Sequence, residues 1–190
     1  MEPIRVLFVC TGNICRSPMA QYLMRGRAEQ HGLAVLTLSC GLQLEDTPAS
    51  AHAVTVVGDR GFDMTAHRSR IINEDLVKAS DLVLAMTGRH AREAAILDMD
   101  DAHMIYTLRE FVRRSSMQAP RAADEPIGDY TRRLHTQRPL AQLGSGGTKD
   151  DVDDPYGRRK SVYRRTANDL ESLVDAALSG LFEGRSFSAV

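Results

Sequence analysis

The chain has 190 residues, 43% of them hydrophobic, and 24 basic side chains against 25 acidic ones leave a net charge of −1. This length fits one domain with a sizeable core, and the balanced charge argues against nucleic-acid binding and against attraction to a membrane surface. There is no signal-peptide pattern, no apolar run near the roughly 20 residues that span a bilayer, and too few cysteines for a disulfide scaffold, so we expect a cytoplasmic protein.

Short apolar runs alternate with segments of helical periodicity along the chain. The runs predict strands at Ile4 to Val9, Leu33 to Leu38, Asp81 to Met86 and Met104 to Leu108. Helices are predicted from Ser17, near the cap, to about Gly32, then at Pro48 to Arg60, Asn73 to Ala79, His90 to Leu97 and Tyr163 to Leu181. This alternation predicts an α/β fold, with a four-stranded, parallel, twisted sheet and helices on both faces, in a single domain spanning residues 1–190.

The segment from about residue 115 to residue 150 departs from this alternation. It is rich in Arg, Pro, Gly and Ser, and it includes GSGGTKDD. We predict a long loop or a partly helical insertion within the single domain. One hypothesis is that basic residues in and beside it bind acidic protein partners, and a neutral insertion is the alternative. The basic residues concerned are Arg113, Arg114, Arg121, Arg132 and Arg133.

The stretch VLFVCTGNICRSPMAQ places Cys10 at the end of the first predicted strand and Arg16 where the first helix begins. Ligands of parallel α/β sheets bind at the carboxyl ends of strands, and backbone N–H groups of a loop that enters a helix can bind an anion. Gly12 permits unusual backbone angles, and Asn13 tolerates the left-handed conformation. The guanidinium of Arg16 matches two phosphate oxygens. We therefore predict a phosphate-binding loop from Cys10 to Arg16, called the phosphate loop below.

The same arrangement bears on the reactivity of Cys10. A helix N-terminus and a neighbouring arginine favour the thiolate form of a cysteine, which is the nucleophilic form. A thiolate at the base of a phosphate-binding loop can form a cysteinyl-phosphate intermediate. A buried structural cysteine is the alternative interpretation.

The loop CTGNICRSPMA resembles the signature loop of the low-molecular-weight protein tyrosine phosphatases, and Asp154-Pro155-Tyr156 is similar to the acid motif of that family. The segments LSCG, AHRSR, ASDLVLAMTGRH and TLREF extend the resemblance over nearly the whole chain except residues 115–150. The resemblance implies an enzyme that dephosphorylates phosphorylated proteins with no metal or other cofactor. It indicates no particular oligomeric state.

The resemblance also implies the catalytic roles. Cys10 is the nucleophile, and Asp154 is first the general acid and then the general base. Asp151 and Asp153 lie in the same acidic run and are the alternatives to Asp154, which the following Pro-Tyr singles out. The phosphate is bound by Arg16 together with Thr11, Gly12, Asn13, Ile14 and Cys15.

Supporting residues follow from the same resemblance. Asn13, Ser39 and His67 would keep the phosphate loop open, and Ser17 would steady the thiolate, with helix capping by Ser17 and an ordinary buried histidine at 67 as the alternatives. His90 and His103 have no such support.

Two further roles concern the pocket and the redox state. Tyr156 and Ile14 would form a wall against an aromatic substrate. Cys15 would form a reversible disulfide that protects Cys10 from over-oxidation, and a packing role is the alternative.

Four functions are compatible with these motifs. A tyrosine phosphatase is favoured because Ile14 and Tyr156 match that form, whereas the related arginine phosphatases have threonine and phenylalanine there, and pocket contacts decide the substrate. An arginine phosphatase is the alternative, since LAMTGRH, TLREF and the residues around Asp154 are more similar to that branch. An arsenate reductase lacks support because no cysteine follows Cys40, and a non-catalytic phosphopeptide-binding module would not need nucleophile, arginine and acid together. Leu42 departs from the family in a stretch expected to line the rim of the site.

Overall fold

The computed structural model describes residues 2–136, 138 and 148–183. Among these residues, four strands form one parallel sheet in the order β2-β1-β3-β4, with bounds β1 (Ile4–Cys10), β2 (Val35–Gly41), β3 (Leu82–Ala85) and β4 (Ile105–Thr107). The helices are α1 (Arg16–Gln30), α2 (Ala51–Gly58), α3 (Glu74–Lys78), α4 (Gly88–Leu97), α5 (Leu108–Ser115), α6 (Ile127–His135) and α7 (Lys160–Leu181). The predicted four-stranded parallel α/β fold is confirmed.

The central strand β1 is buried on both faces, which explains its nearly continuous apolar sequence. Val6 and Phe8 belong to a core shared with α1, α2, α5 and α7. Leu7 and Val9 belong to a second core shared with α3 and α4. Helices therefore cover both faces, and the loop that follows β1 emerges between the two layers at the carboxyl edge of the sheet.

Two predicted boundaries near the start of the chain are wrong. Helix α1 begins at Arg16 with Cys15 as its N-cap, so Ser17 is inside the helix and does not cap it. Strand β2 begins later than predicted, because Gly32 adopts a left-handed φ of 62° and the Leu33 N–H bonds back to the carbonyl of Ala28. Gly32 and Leu33 therefore belong to the end of α1. Strand β2 extends to Gly41, which pairs with Cys10, the last residue of β1.

The segment predicted as a loop or insertion contributes to the core. Helix α5 was not predicted, and it extends to Ser115 with Thr107 as its cap. Tyr130 and Leu134 of α6 are fully buried, and the hydroxyl of Tyr106 donates to the carbonyl of Thr131 at 2.9 Å. Residue 137 and residues 139–147, which include the first half of GSGGTKDD, lie outside the described residues. The domain limits stay a prediction.

The five basic residues in and beside this segment differ in their exposure. The side chains of Arg114 and Arg121 are buried. The other three pair with carboxylates of the same chain: Arg113 with Asp150, Arg132 with Asp129 and Arg133 with Glu125. Arg114 and Arg121 cannot belong to a binding surface because they are buried, and for Arg113, Arg132 and Arg133, which keep part of their side chains exposed, the hypothesis stays a prediction.

None of the helices in the described ranges combines the length and the apolar character that a membrane span requires. The predicted cytoplasmic location stays a prediction.

A buried charge cluster joins α5 to the chain that follows α6. Both oxygens of Glu110 accept hydrogen bonds, from Arg114 Nε at 2.8 Å and from Arg138 Nη2 at 2.8 Å. All three side chains are buried: the exposed fraction is 6% for Glu110, 7% for Arg114 and 3% for Arg138. The Glu110 carboxylate is thus the partner that both guanidinium groups share.

We expect Glu110→Gln to lower the free energy of unfolding by about 3 kcal/mol, because removing the shared negative charge leaves two buried guanidinium groups undercompensated. Urea unfolding followed by circular dichroism measures the change. Glu93→Gln, at an exposed position of α4, is the matched control and should stay within about 0.5 kcal/mol of wild type. Equal stabilities for the two variants would contradict this account of the cluster.

Candidate active site

The phosphate loop connects the end of β1 directly to the first turn of α1. Residues that follow β2 form hydrogen bonds to its backbone. The carbonyl of Thr11 accepts the N–H groups of Leu42 at 2.7 Å and Gln43 at 3.1 Å. The carbonyl of Ile14 accepts the N–H of Ser50 at 2.9 Å. The segment after β2 therefore binds two carbonyls of the phosphate loop and fixes its outer side.

Gly41, the last residue of β2, packs directly against the backbone of the phosphate loop. A Cβ atom at this position would lie 2.8 Å from both the nitrogen of Asn13 and the carbonyl oxygen of Thr11. Real Cβ atoms do not approach backbone atoms this closely. Glycine at position 41 is thus a steric requirement of the loop.

Asn13 adopts a left-handed φ of 52° and is completely buried. Its side chain amide donates to Ser17 Oγ at 2.9 Å and to Ser39 Oγ at 2.8 Å, and its Oδ1 accepts the backbone N–H of Arg70 at 3.0 Å. Its carbonyl accepts a hydrogen bond from His67 Nε2 at 2.8 Å. The structure thus brings together the four predicted supporting residues.

His67 is buried beside the loop, and this burial, with a smaller contribution from the charge of Arg70, lowers the pKa of its imidazole. A neutral ring with its proton on Nε2 fits the bond to the carbonyl of Asn13.

The thiol of Cys10 lies at the base of the loop and is 2% exposed. Its sulfur accepts the backbone N–H of Asn13 at 3.2 Å and the hydroxyl of Ser17 at 3.0 Å. The Ser17 hydroxyl also lies 3.2 Å from the carbonyl of Cys40. Two hydrogen-bond donors directed at one sulfur stabilise negative charge on it.

The guanidinium of Arg16 is buried above the loop and joins it to the C-terminal part of the chain. Its Nη1 donates to the carbonyl of Val152 at 3.3 Å, and its Nη2 donates to Thr11 Oγ1 at 3.3 Å and to Asp154 Oδ2 at 2.6 Å. The side chain of Arg16 is 5% exposed, whereas that of Asp154 is 48% exposed. The predicted nucleophile loop and the predicted acid therefore meet at this ion pair.

Residues 150–156, called the acid loop below, show which of the three candidate carboxylates faces the site. Asp151 is engaged elsewhere, because its Oδ1 accepts the N–H of Gly88 at 3.0 Å at the start of α4. The exposed Asp153 does not line the cleft above Cys10, whereas Asp154 does. The geometry therefore favours Asp154 over the two alternatives.

The cleft above Cys10 has a volume of about 220 Å³. It is lined by Cys10, Thr11, Gly12, Ile14, Cys15, Arg16, Gln43, Leu44, Asp154 and Tyr156. Leu42 itself packs against the core on the α3 and α4 side, so the rim of the cleft after β2 is formed by Gln43 and Leu44, which the sequence analysis did not single out.

Cys15 lies in the loop as a buried thiol, 3.3 Å from Ser50 Oγ and 3.3 Å from the hydroxyl of Tyr163. Burial raises the pKa of this thiol. The reversible disulfide with Cys10 stays a prediction.

Sequence analysis missed two residues of the hydrogen-bond network. Gln21 accepts the hydroxyl of Ser39 at 2.6 Å and is one turn of α1 beyond Ser17. His90 Nε2 lies 2.9 Å from Thr11 Oγ1. Strand order could have indicated His90. Because β3 lies beside β1 in the sheet, the residues that follow these two strands meet at the same sheet edge.

Comparisons with known proteins agree with this geometry. Residues 5–138 match the family model described as low molecular weight phosphotyrosine protein phosphatase. The protein-arginine-phosphatase of Bacillus subtilis (strain 168) is 31% identical over 170 residues, which cover 89% of this chain and 91% of that protein.

Solved structures extend the similarity to the fold. A low molecular weight protein tyrosine phosphatase from T. tengcongensis has a TM-score of 0.72 at 34% identity, covering 94% of this chain and 99% of that one. A mutant arginine phosphatase with a phosphorylated active-site serine has a TM-score of 0.72 at 30% identity, covering 96% of this chain and 98% of that one.

We expect Gly41→Ala to weaken the binding of inorganic phosphate at least about tenfold, or ~1.4 kcal/mol, because the added methyl displaces the loop N–H groups. Isothermal titration calorimetry measures the affinity. Gly58→Ala is the matched control, since a Cβ there meets no atom within 4 Å. Unchanged affinity in Gly41→Ala would contradict the steric role of this glycine.

A second prediction concerns the stability of the protein in acid. Burial, followed by the positive charges of Arg16 and Arg89, lowers the pKa of His90 to about 4 from 6.5. As the pH is lowered, the unfolded chain therefore binds a proton at His90 at a higher pH than the folded protein does. As the pH falls from 6.5 to about 4, this residue alone should reduce the free energy of unfolding by roughly 3 kcal/mol.

Urea unfolding of wild type and His90→Gln across this pH range isolates the effect of His90, because all other titrating groups are common to both proteins. The stability difference between them should change with pH by the stated amount. Parallel curves for the two proteins would show that His90 is not held neutral by the fold.

Proposed function

The chain belongs to the low molecular weight phosphotyrosine protein phosphatase family, and we propose that it hydrolyses phosphotyrosine in proteins through a cysteinyl-phosphate intermediate. The observation that carries the choice of substrate is the lining of the cleft, where Ile14, Leu44 and Tyr156 provide apolar and aromatic surface. A phenyl ring fits such walls.

In the first step the thiolate of Cys10 attacks the phosphorus atom. The S–P bond forms while the bond from phosphorus to the phenolic oxygen breaks. The Asn13 N–H and the Ser17 hydroxyl both donate to the sulfur, which positions it for attack and eases its later departure. Arg16 and the loop N–H groups bind the non-bridging oxygens, where charge accumulates in the transition state.

Asp154 supplies the proton that the leaving phenolate needs. It is the carboxylate at the cleft, and the negative charge of a bound phosphate dianion favours its protonated form. In the second step the same carboxylate accepts a proton from water as the water attacks phosphorus, and the S–P bond breaks. Inorganic phosphate leaves, and the Cys10 thiolate returns.

Two observations support the intermediate and the supporting roles. A related arginine phosphatase mutant carries a phosphorylated serine at its active site, as expected when a residue of the protein accepts the phosphoryl group. The bonds from Asn13 to Ser17 and Ser39, and from His67 to Asn13, hold the loop in one conformation. Preorganised donors need no rearrangement during the reaction.

A protein arginine phosphatase is the second candidate. It is favoured by the similarity to the Bacillus subtilis protein-arginine-phosphatase over 89% of this chain. A phosphoguanidine group carries several N–H donors, and a cleft that binds it would be expected to offer them acceptors. Ile14 offers none from its side chain, so the cleft favours the phenolic substrate.

We expect wild type to hydrolyse a phosphotyrosine peptide with a kcat/KM about 100-fold above that for the matched phosphoarginine peptide. Steady-state assays of both peptides side by side measure the ratio, with Cys10→Ser as the inactive blank. Ile14→Thr should lower the ratio about tenfold, because the hydroxyl adds a polar group to the apolar wall. Wild-type preference for phosphoarginine would instead support the second candidate, and activity equal to the blank on both peptides would contradict the proposed function.

A further inference from the structure

His90 lies in the first turn of α4, and both nitrogens of its buried ring contact threonine hydroxyls. Its Nε2 is 2.9 Å from Thr11 Oγ1, and its Nδ1 is 2.8 Å from Thr87 Oγ1. Thr11 Oγ1 in turn lies 3.3 Å from Nη2 of Arg16. A row of polar contacts therefore joins the start of α4 to the guanidinium in the cleft.

The chemistry of the groups fixes the direction of each hydrogen bond in this row. A guanidinium only donates, so the hydroxyl oxygen of Thr11 accepts from Arg16. The single hydroxyl proton of Thr11 is then free to be donated to Nε2 of His90, provided that this nitrogen is unprotonated. The proton of a neutral imidazole is then on Nδ1, which donates to the hydroxyl oxygen of Thr87. The lowered pKa of His90 is consistent with a neutral ring.

The contact with Thr11 matters most when substrate is bound. Nη2 of Arg16 donates to both Thr11 and Asp154, and the latter bond must be released before Asp154 can deliver a proton to the leaving group. The buried Nε of Arg16 has no hydrogen-bond partner among the described residues. The protein contacts that then hold the guanidinium are the carbonyl of Val152 and the hydroxyl of Thr11.

We propose that His90 is a positioning residue for Arg16: by accepting the hydroxyl proton of Thr11, it directs the oxygen of Thr11 at the guanidinium and fixes the angle at which Arg16 meets a phosphate group. This inference rests on the proposed function. Without an acceptor at position 90, the Thr11 hydroxyl is free to rotate, and its proton can point toward Arg16. The guanidinium then loses one of its two remaining protein contacts.

The test compares two substitutions of similar length that differ in their ability to accept a hydrogen bond. His90→Met has no strong acceptor, whereas His90→Gln carries an amide oxygen near the position of Nε2. Isothermal titration calorimetry with inorganic phosphate, on the full chain, measures the affinity of the cleft directly. We expect His90→Met to weaken phosphate binding about tenfold and His90→Gln to remain within about threefold of wild type.

A double-mutant cycle with Thr11→Val shows whether the effect passes through Thr11. Thr11→Val removes the hydroxyl and should itself weaken phosphate binding about tenfold. If His90 acts through this hydroxyl, adding His90→Met to Thr11→Val should weaken binding no further. Additive losses in the double variant, or equal losses for His90→Met and His90→Gln, would mean that position 90 contributes only packing, and either result overturns the proposal.

Two further outcomes separate this inference from the proposed function. Wild type that neither binds phosphate nor hydrolyses the phosphotyrosine peptide contradicts both, whereas wild-type affinity in His90→Met contradicts the role of His90 alone. If His90→Met does not fold, Thr11→Val decides by itself, because unchanged phosphate affinity in that variant overturns the proposal.

Discussion

The left-handed conformation of Asn13 is the constraint on which the site depends. A non-glycine residue with positive φ is disfavoured by roughly 1–2 kcal/mol, although asparagine tolerates it better than most. Here the conformation is held by the side-chain bonds to Ser17, Ser39 and the Arg70 N–H, and by the bond from His67 to the Asn13 carbonyl. This conformation places the Asn13 N–H on the Cys10 sulfur. The position of the Cys10 sulfur and the shape of the loop around it therefore follow from one buried, fully bonded side chain.

The parallel sheet explains how distant segments converge on this loop. The loops after β1, β2 and β3 all leave from one edge, so the segment after β2 supplies the rim and the start of α4 contacts both halves of the site. Gly88 of α4 binds the Asp151 carboxylate of the acid loop, and His90, less than one turn later, contacts Thr11 of the phosphate loop. The first turn of α4 thus sets the distance between the two loops, and its position is fixed by β3, which pairs directly with β1.

Much of this arrangement could be predicted from the sequence, and the failures share a cause. The strands and the fold follow from apolar periodicity, and Cys10, Arg16 and Asp154 follow from motifs in which residues are close in sequence or match a known family. The helix start near Ser17 was misplaced, whereas the contact of its hydroxyl with the sulfur of Cys10, at the end of the preceding strand, agrees with the role that the family resemblance implies. His90 was dismissed because its partner Thr11 is 79 residues away. The burial of Arg114 and Arg121 and the carboxylate partners of the other basic residues could not be read from the sequence, because the packing of α5 and α6 sets them.

In the proposed mechanism, the ion pair between Arg16 and Asp154 couples phosphate binding to acid catalysis. A guanidinium as deeply buried as that of Arg16 is costly to leave unpaired, by about 3–5 kcal/mol for a buried ion pair that loses one partner. In the free protein, Asp154 provides the compensating charge at 2.6 Å. A phosphate dianion offers more charge and a bidentate geometry, so it can replace the carboxylate on Arg16 without leaving the guanidinium uncompensated. The same replacement releases Asp154, which is half exposed at the cleft, to act on the leaving group. On this proposal, Asp154 becomes available as the acid because the substrate has replaced it on Arg16.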